Sequence, residues 1–176
     1  MIISYLSLIF QNYARVAKLP KKLDKVAVHR IREQVTTDEI IKKFKENPGF
    51  PNVGSCIIFN AFVKGVNREG KPQSALEMEP ADHTLKEMKA IAAEIEKKPG
   101  VLDVQIHLNT GILNSGDTLL QVAIDTTVDG PQIGEIFQAL KDTLDNVKKR
   151  AGIKLKEKSI EGWYYTKPKE KAKSFD

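Results

Sequence analysis

Cysteine is almost missing from this chain. Cys56 is the only one, which excludes an intrachain disulfide and a cysteine-based metal cluster. It lies in the apolar run Gly54-Ser55-Cys56-Ile57-Ile58-Phe59. No neighbouring charge in the sequence lowers its pKa, so a buried, inert thiol is expected. Histidine is scarce as well: His29, His83 and His107 show no ligand spacing, and no metal is expected. Gly111, Gly116 and Gly130 are isolated, which excludes a P-loop and a dinucleotide fingerprint. No cofactor is expected. Ser55 and Ser115 read as turn or strand residues, with no Ser-His-Asp arrangement around them. A long apolar run is also lacking. Met1 to Phe10 is apolar but far shorter than the ~20 residues that span a bilayer. It carries no basic leader and no clear small-residue cleavage site. The expectation is a cytoplasmic protein, off the membrane, whose N-terminal extension packs on the domain or on a partner. A start codon chosen too far upstream gives the same pattern.

What is present describes one globular domain. The length of 176 residues leaves room for an extension and linker over 1–22, a domain over 23–166 and a basic tail over 167–176. Lys25-Val26-Ala27-Val28-His29 reads as a short strand. Thr36-Thr37-Asp38-Glu39 is a capping box, followed by Ile40, Ile41 and Phe44 on one helical face. Val53 to Lys64 reads as a core strand, Asn67 to Lys71 as a turn and Gln73 to Glu79 as the returning strand. Asp82 can cap a second helix with Leu85, Met88, Ile91 and Ile95 on one face. Val101 to Leu108 reads as a strand, Asn109 to Gly116 as a loop and Leu119 to Thr127 as a strand. Pro131 suits a first helical position. Ile133, Ile136, Phe137, Leu140, Leu144 and Val147 then repeat at helical spacing. Ile153 to Lys158 and Gly162 to Tyr165 close the series as short strands. The order β-α-β-β-α-β-β-α-β-β, with helices between paired strands, predicts an α+β layer fold.

The net charge is +5, and residues 141–176 hold eleven Lys/Arg against six Asp/Glu, which is also +5. A localised excess implies a localised anionic partner or substrate, or a solvated tail. Its centre is Val147-Lys148-Lys149-Arg150-Ala151-Gly152-Ile153-Lys154-Leu155-Lys156-Glu157. Lys149 and Lys156 flank a glycine that breaks the helix, an arrangement that can aim two ammonium groups into one pocket. Basic residues in a last helical turn also arise simply because the macrodipole favours them, by about 0.3–1 kcal/mol each. Glu79 and Asp82 at a strand-to-helix turn read as caps before they read as catalysts. Trp163, Tyr164 and Tyr165 lie near the basic tail. Aromatics in a terminal strand are more often core than nucleic-acid contacts.

Two segments carry a family resemblance. Gly54-Ser55-Cys56-Ile57-Ile58-Phe59-Asn60-Ala61-Phe62-Val63-Lys64, followed by Asn67 and Gly70, resembles a stretch of the catalytic (large) subunit family of molybdopterin synthase. Ile106 to Asp117 is similar to that family's His-Arg-x-Gly-x-Leu-x-x-Gly-Glu segment, with one extra residue before Gly111. Val122-Ala123-Ile124, the long final helix and the lysine-rich turn follow in the family's order, so the resemblance covers roughly Val53 to Lys158.

The resemblance implies an α+β fold of the hammerhead type, with antiparallel strands and three main helices. It implies a sulfurtransferase that moves sulfur from the C-terminal thiocarboxylate of a ubiquitin-like small subunit to cyclic pyranopterin monophosphate. It also implies a homodimer within a heterotetramer. One register of the resemblance maps the family's two key lysines to Lys149 and Lys156; the other, one residue earlier, gives Lys148 and Leu155. Phe59, Lys64 and Lys148 are the implied substrate-binding residues. The chain departs from the family at several points: Lys64 stands where the family has Arg, Leu108 replaces an Arg, and Val128-Asp129-Gly130 replaces a His-Arg. The family's Trp beside the second lysine is also lost. A non-catalytic relative that binds a ubiquitin-like partner or a phosphorylated ligand is therefore the alternative. RNA binding through the basic end is a weaker third reading.

Overall fold

The computed structural model describes residues 23–30, 34–67, 70–127, 133–159 and 162–165. Seven strands and three α-helices alternate in the expected order: β1 (Val26–Arg30), α1 (Thr37–Lys45), β2 (Val53–Phe62), β3 (Ala75–Glu79), α2 (Thr84–Ile95), β4 (Val101–Asn114), β5 (Thr118–Thr127), α3 (Ile133–Arg150), β6 (Lys154–Ser159) and β7 (Gly162–Tyr165). The expected extension, the tail, Pro131 and Val128-Asp129-Gly130 lie outside the described residues, as does the Ile133 side chain.

β4 is the spine. β5 pairs antiparallel along one edge, and β2 pairs antiparallel outside β5. On the other edge β1 runs parallel to Ile106–Thr110, and β3 then takes over antiparallel from Gly111 to Asn114. β6 and β7 extend that end, giving the order β2-β5-β4-β3-β6-β7. The β1–β4 pair is the parallel exception in an otherwise antiparallel sheet. The loop expected over Asn109 to Gly116 is instead mostly strand. Its Asn, Gly and Ser content suggested a turn, but Gly111 takes a φ of 90° at the point where β4 changes partners. Glycine reaches that backbone region without a Cβ penalty, so the strand continues through it.

Alternation sorts the side chains of β4 and β5 onto two faces. Val104, Ile106, Leu108, Leu120, Val122 and Ile124 pack under α2 and α3. The buried stripe of α2 is Thr84, Met88, Ile91, Ala92 and Ile95. Leu85, expected on that stripe, is exposed. The helix starts at the N-cap residue His83, with no side-chain cap bond, so Asp82 does not cap it. α3 turns Ala139 and Val147 into the same core, with buried Thr143 on the same stripe, while Phe137 points outward.

The opposite face is covered by α1. Its capping box forms as expected: the Thr36 hydroxyl accepts from the Glu39 N–H at 3.2 Å, and the Glu39 carboxylate accepts from the Thr36 N–H at 2.8 Å. Ile40 and Phe44 pack with Val35 and Ala123, whereas Ile41 faces outward. Thr36→Ala is expected to cost about 1 kcal/mol. Urea titration should show a lower midpoint at unchanged slope.

This second face is unusually polar for a buried one. Gln105 Nε2 donates to the Ile40 carbonyl at 3.0 Å, which leaves Gln105 Oε1 to accept from His107 Nε2 at 3.2 Å. His107 Nδ1 is then the acceptor for His29 Nε2 at 3.1 Å. This relay needs His107 neutral, with its proton on Nε2 and its Nδ1 free to accept. Burial, and then the neighbouring His29, push His107 down to about 4. Further along the same face Asp125 is buried between Asp103 and Cys56 in the sheet register, with no nitrogen or oxygen donor on either carboxylate oxygen. Burial, with Asp103 adding repulsion, pushes its carboxyl up to about 6.

The two groups act on stability with opposite signs. His107 makes the folded state lose stability as pH falls from the ordinary 6.5 to about 4, because the unfolded ring binds a proton first. Asp125 makes it lose stability as pH rises from the ordinary 3.8 to about 6, because the folded carboxyl keeps its proton longer. Asp125→Asn is therefore expected to be more stable than the parent at pH 7, by roughly 1–2 kcal/mol once solvent screening near the edge strand is allowed for. It should also lose more stability between pH 6 and 4. Equilibrium unfolding at both pH values checks this.

Candidate functional site at the basic end of the last helix

The turn from α3 into β6 is fixed by α2. Arg150 donates from Nη1 and Nη2 to the two Glu94 oxygens at 2.6 and 3.0 Å, and from Nε to Glu87 at 3.1 Å. The Thr84 hydroxyl donates to the Ala151 carbonyl at 2.6 Å. Gly152 follows with a φ of 66°, so close to α2 that an added Cβ would lie 2.7 Å from His83 Nε2. Arg150 is thus engaged with carboxylates of α2.

Lys148 and Lys149 are exposed in the last turn of α3. Lys156 is placed differently. Leu155 pairs with Met78 and packs on the core beneath the helices. By alternation Lys156 then points to the other face of the β3–β6–β7 leaf. Its ammonium is bonded to Glu79 and lies 3.3 Å from Glu77, with the Tyr165 ring centroid at 5.0 Å. Glu79 first, then Glu77 and Tyr165, hold the Lys156 pKa well above the ordinary amine value. This group is built to stay charged, which suits electrostatic stabilisation and not proton transfer.

Beside it, Lys158 lies over the Trp163 ring at 5.6 Å. Tyr164 donates to Glu157 at 2.9 Å and accepts from Asn67 at 3.0 Å. Trp163, Tyr164 and Tyr165 are exposed, not core as their terminal position suggested.

Phe59 is half-buried in β2, opposite Val122. Lys64 is exposed just beyond β2, where Val63 exchanges backbone hydrogen bonds with Asp117 and Gly116 at 2.9 Å each. Three strands, β5, β4 and β3, separate β2 from β6. The expected residues therefore divide between two ends of the sheet: Phe59 and Lys64 at the β2 side, and Lys148, Lys149 and Lys156 on either side of the α3–β6 turn. Reasoning from sequence missed Glu77 and Glu79 as partners of Lys156. The signal was available, since both strands alternate charge, in Glu77-Met78-Glu79 and Lys154-Leu155-Lys156.

Cys56 is exposed on edge strand β2, not buried. Desolvation and its cross-strand neighbour Asp125 nevertheless push the thiol up to about 12, which disfavours the thiolate at neutral pH. Among the described residues, no group of three or more His, Cys, Asp or Glu is placed to hold a metal ion. No helix among them is long and apolar enough to cross a membrane. A cleft of about 210 Å³ between the α2–β4 turn and the start of α3, with Lys98, Thr127 and Glu135 in its wall, contains none of the expected site residues.

This architecture is shared with solved molybdopterin synthase structures. The chain aligns with the molybdopterin synthase structure from Staphylococcus aureus at a TM-score of 0.68 and 19% identity, covering 83% of this chain and 99% of that one. It aligns with a complex of subunits 1 and 2 of the molybdopterin-converting factor from Helicobacter pylori at a TM-score of 0.63 and 12% identity, covering 83% and 92%. The chain belongs to the MoaE protein family, whose model matches residues 24–150. A probable molybdopterin synthase of Haloferax volcanii is 28% identical over 146 residues, covering 82% of this chain. The chain spans about half the length of that relative, 52%.

Proposed function

We propose that this chain is the catalytic subunit of a cytoplasmic molybdopterin synthase. It transfers sulfur from a thiocarboxylated small subunit to cyclic pyranopterin monophosphate, forming molybdopterin. The observation that carries the reading is the family match across residues 24–150, which runs through the basic end of α3. In this reading the domain over 23–166 does the chemistry, with 1–22 and 167–176 as extension and tail. Lys149 meets the reacting sulfur. Lys156 supplies a fixed positive charge that holds the small subunit's anionic terminus and offsets charge as sulfur leaves. Phe59, Lys64 and Lys148 bind the pterin and its phosphate. The separation of Phe59 from Lys156 by three strands favours a site completed by a second copy, hence a homodimer with a small subunit on each half.

A non-catalytic relative that only docks the ubiquitin-like partner is the second reading. It is favoured by Leu108, which lies in the core where the family carries an Arg. A single-turnover reaction with thiocarboxylated small subunit and cyclic pyranopterin monophosphate separates the two. Dithiolene product supports the synthase. Tight small-subunit binding without product supports the docking relative, and the absence of both product and binding removes both readings.

A further inference from the structure

Lys156 already has anionic partners in the absence of any ligand. Glu77 and Glu79 are alternate residues of β3 and leave the strand on one face. Pairing with β6 puts Lys156 opposite Glu77 and Lys154 opposite Glu79. The three side chains in contact keep partial access to solvent, 23% for Lys156, 31% for Glu77 and 35% for Glu79. Ion pairs of that exposure are weak enough to exchange partners. Among the described residues of β3 and β6 on this face, three lysines (Lys154, Lys156, Lys158) stand against two glutamates (Glu77, Glu79), an excess of one positive charge. That balance suits a monoanion; a doubly charged phosphate would have to approach two carboxylates. Tyr165 and Trp163, exposed on the same face, give an extended chain apolar surface to lie on.

We propose that Glu77 and Glu79 are the resting occupants of an anion site at Lys156, and that the terminal carboxylate or thiocarboxylate of an extended chain enters by displacing them. The inference rests on the reading of Lys156 as the small subunit's docking point and adds a gate to it. At rest the glutamates keep the ammonium aimed and charged. After sulfur has left, they compete with the plain carboxylate and help release the spent tail. Glu77 and Glu79 are positioning residues here, since they act through Lys156.

The test is calorimetric binding of two forms of the small subunit, one ending in a carboxylate and one in a carboxamide. The parent should prefer the acid form. Glu77→Gln/Glu79→Gln keeps shape and hydrogen bonding but removes the competing charge, so its preference for the acid form should rise by about tenfold. Lys156→Ala should bind both forms alike. An unchanged or smaller preference in the folded glutamine variant overturns the exchange. A second readout needs no variant: the side-chain carboxyl carbon resonances of Glu77 and Glu79 should move when the acid form is added and stay still with the amide. Stationary resonances also overturn it. Equal affinity of the parent for both forms leaves the partner reading standing and removes the gate. No binding of either form removes both.

Discussion

Lys149→Ala and Lys156→Ala are each expected to lower single-turnover dithiolene formation about a hundredfold or more, the usual scale for removing one aimed electrostatic group from a reacting centre. The two losses should differ in kind. Lys149 is exposed at the end of α3, so its loss should leave small-subunit affinity and thermal melting unchanged and fall on the chemical step. Lys156 is the shared counter-ion of Glu77 and Glu79. Its loss leaves two carboxylates facing one another, so tail binding should weaken along with the rate. Lys156→Arg should recover most of that binding, because a guanidinium keeps the charge and can meet both glutamates. Since Glu79 and Glu77 hold Lys156 protonated well beyond the neutral range, the parent's rate profile between pH 6 and 9 should contain no ionisation that Lys156→Arg abolishes. Such an ionisation would make Lys156 a proton carrier. Wild-type rates in both alanine variants would leave the proposed lysines without a role.

Gly152→Ala is expected to destabilise the domain by roughly 2–4 kcal/mol. Its φ of 66° is a conformation that a side chain makes costly, and its new Cβ would sit 2.7 Å from His83 Nε2, 2.8 Å from His83 Cε1 and 3.0 Å from the Ala81 Cβ. His83 is exposed, so the far end of its ring can swing aside at some cost. The left-handed backbone and the Ala81 Cβ cannot, held as they are beside the Thr84 hydroxyl's 2.6 Å bond to the Ala151 carbonyl. Removing the obstacle should restore part of the loss. His83→Ala combined with Gly152→Ala should be less destabilised than the two single effects added together, with the backbone cost remaining. Strictly additive losses in denaturant titrations would show that the close approach carries no energy.

Much of the fold could be read from residue order because the strongest signals were local. The Thr36–Glu39 box, the apolar run from Val53 and the stripes of α2 and α3 each declare themselves within a few residues. What escaped depended on distant partners. Gly111 looked like a loop residue until β1 and β3 were seen to meet β4 on either side of it. Thr84, not Leu85, became the buried position because α2 docks against the turn that follows α3. The site was legible only in part. The lysines announce themselves by charge, but β6 is a strand, and one step along a strand changes the face. Leu155 goes to the core and Lys156 to Glu79. Nothing in the basic run by itself decides which of the two meets the helix.

The parallel pairing of β1 with β4 also bears on how the chain comes to be folded. Val26 finds its partner Ile106 only after eighty further residues have been made. At ribosomal speeds that is a wait of roughly 4–16 s for the emerging chain. Through that interval the first strand must stay soluble without its neighbour, while the elements between it and β4 collect. The closing of β1 onto β4 is a late, long-range event of the kind that slows folding, and it also seats His29 against His107.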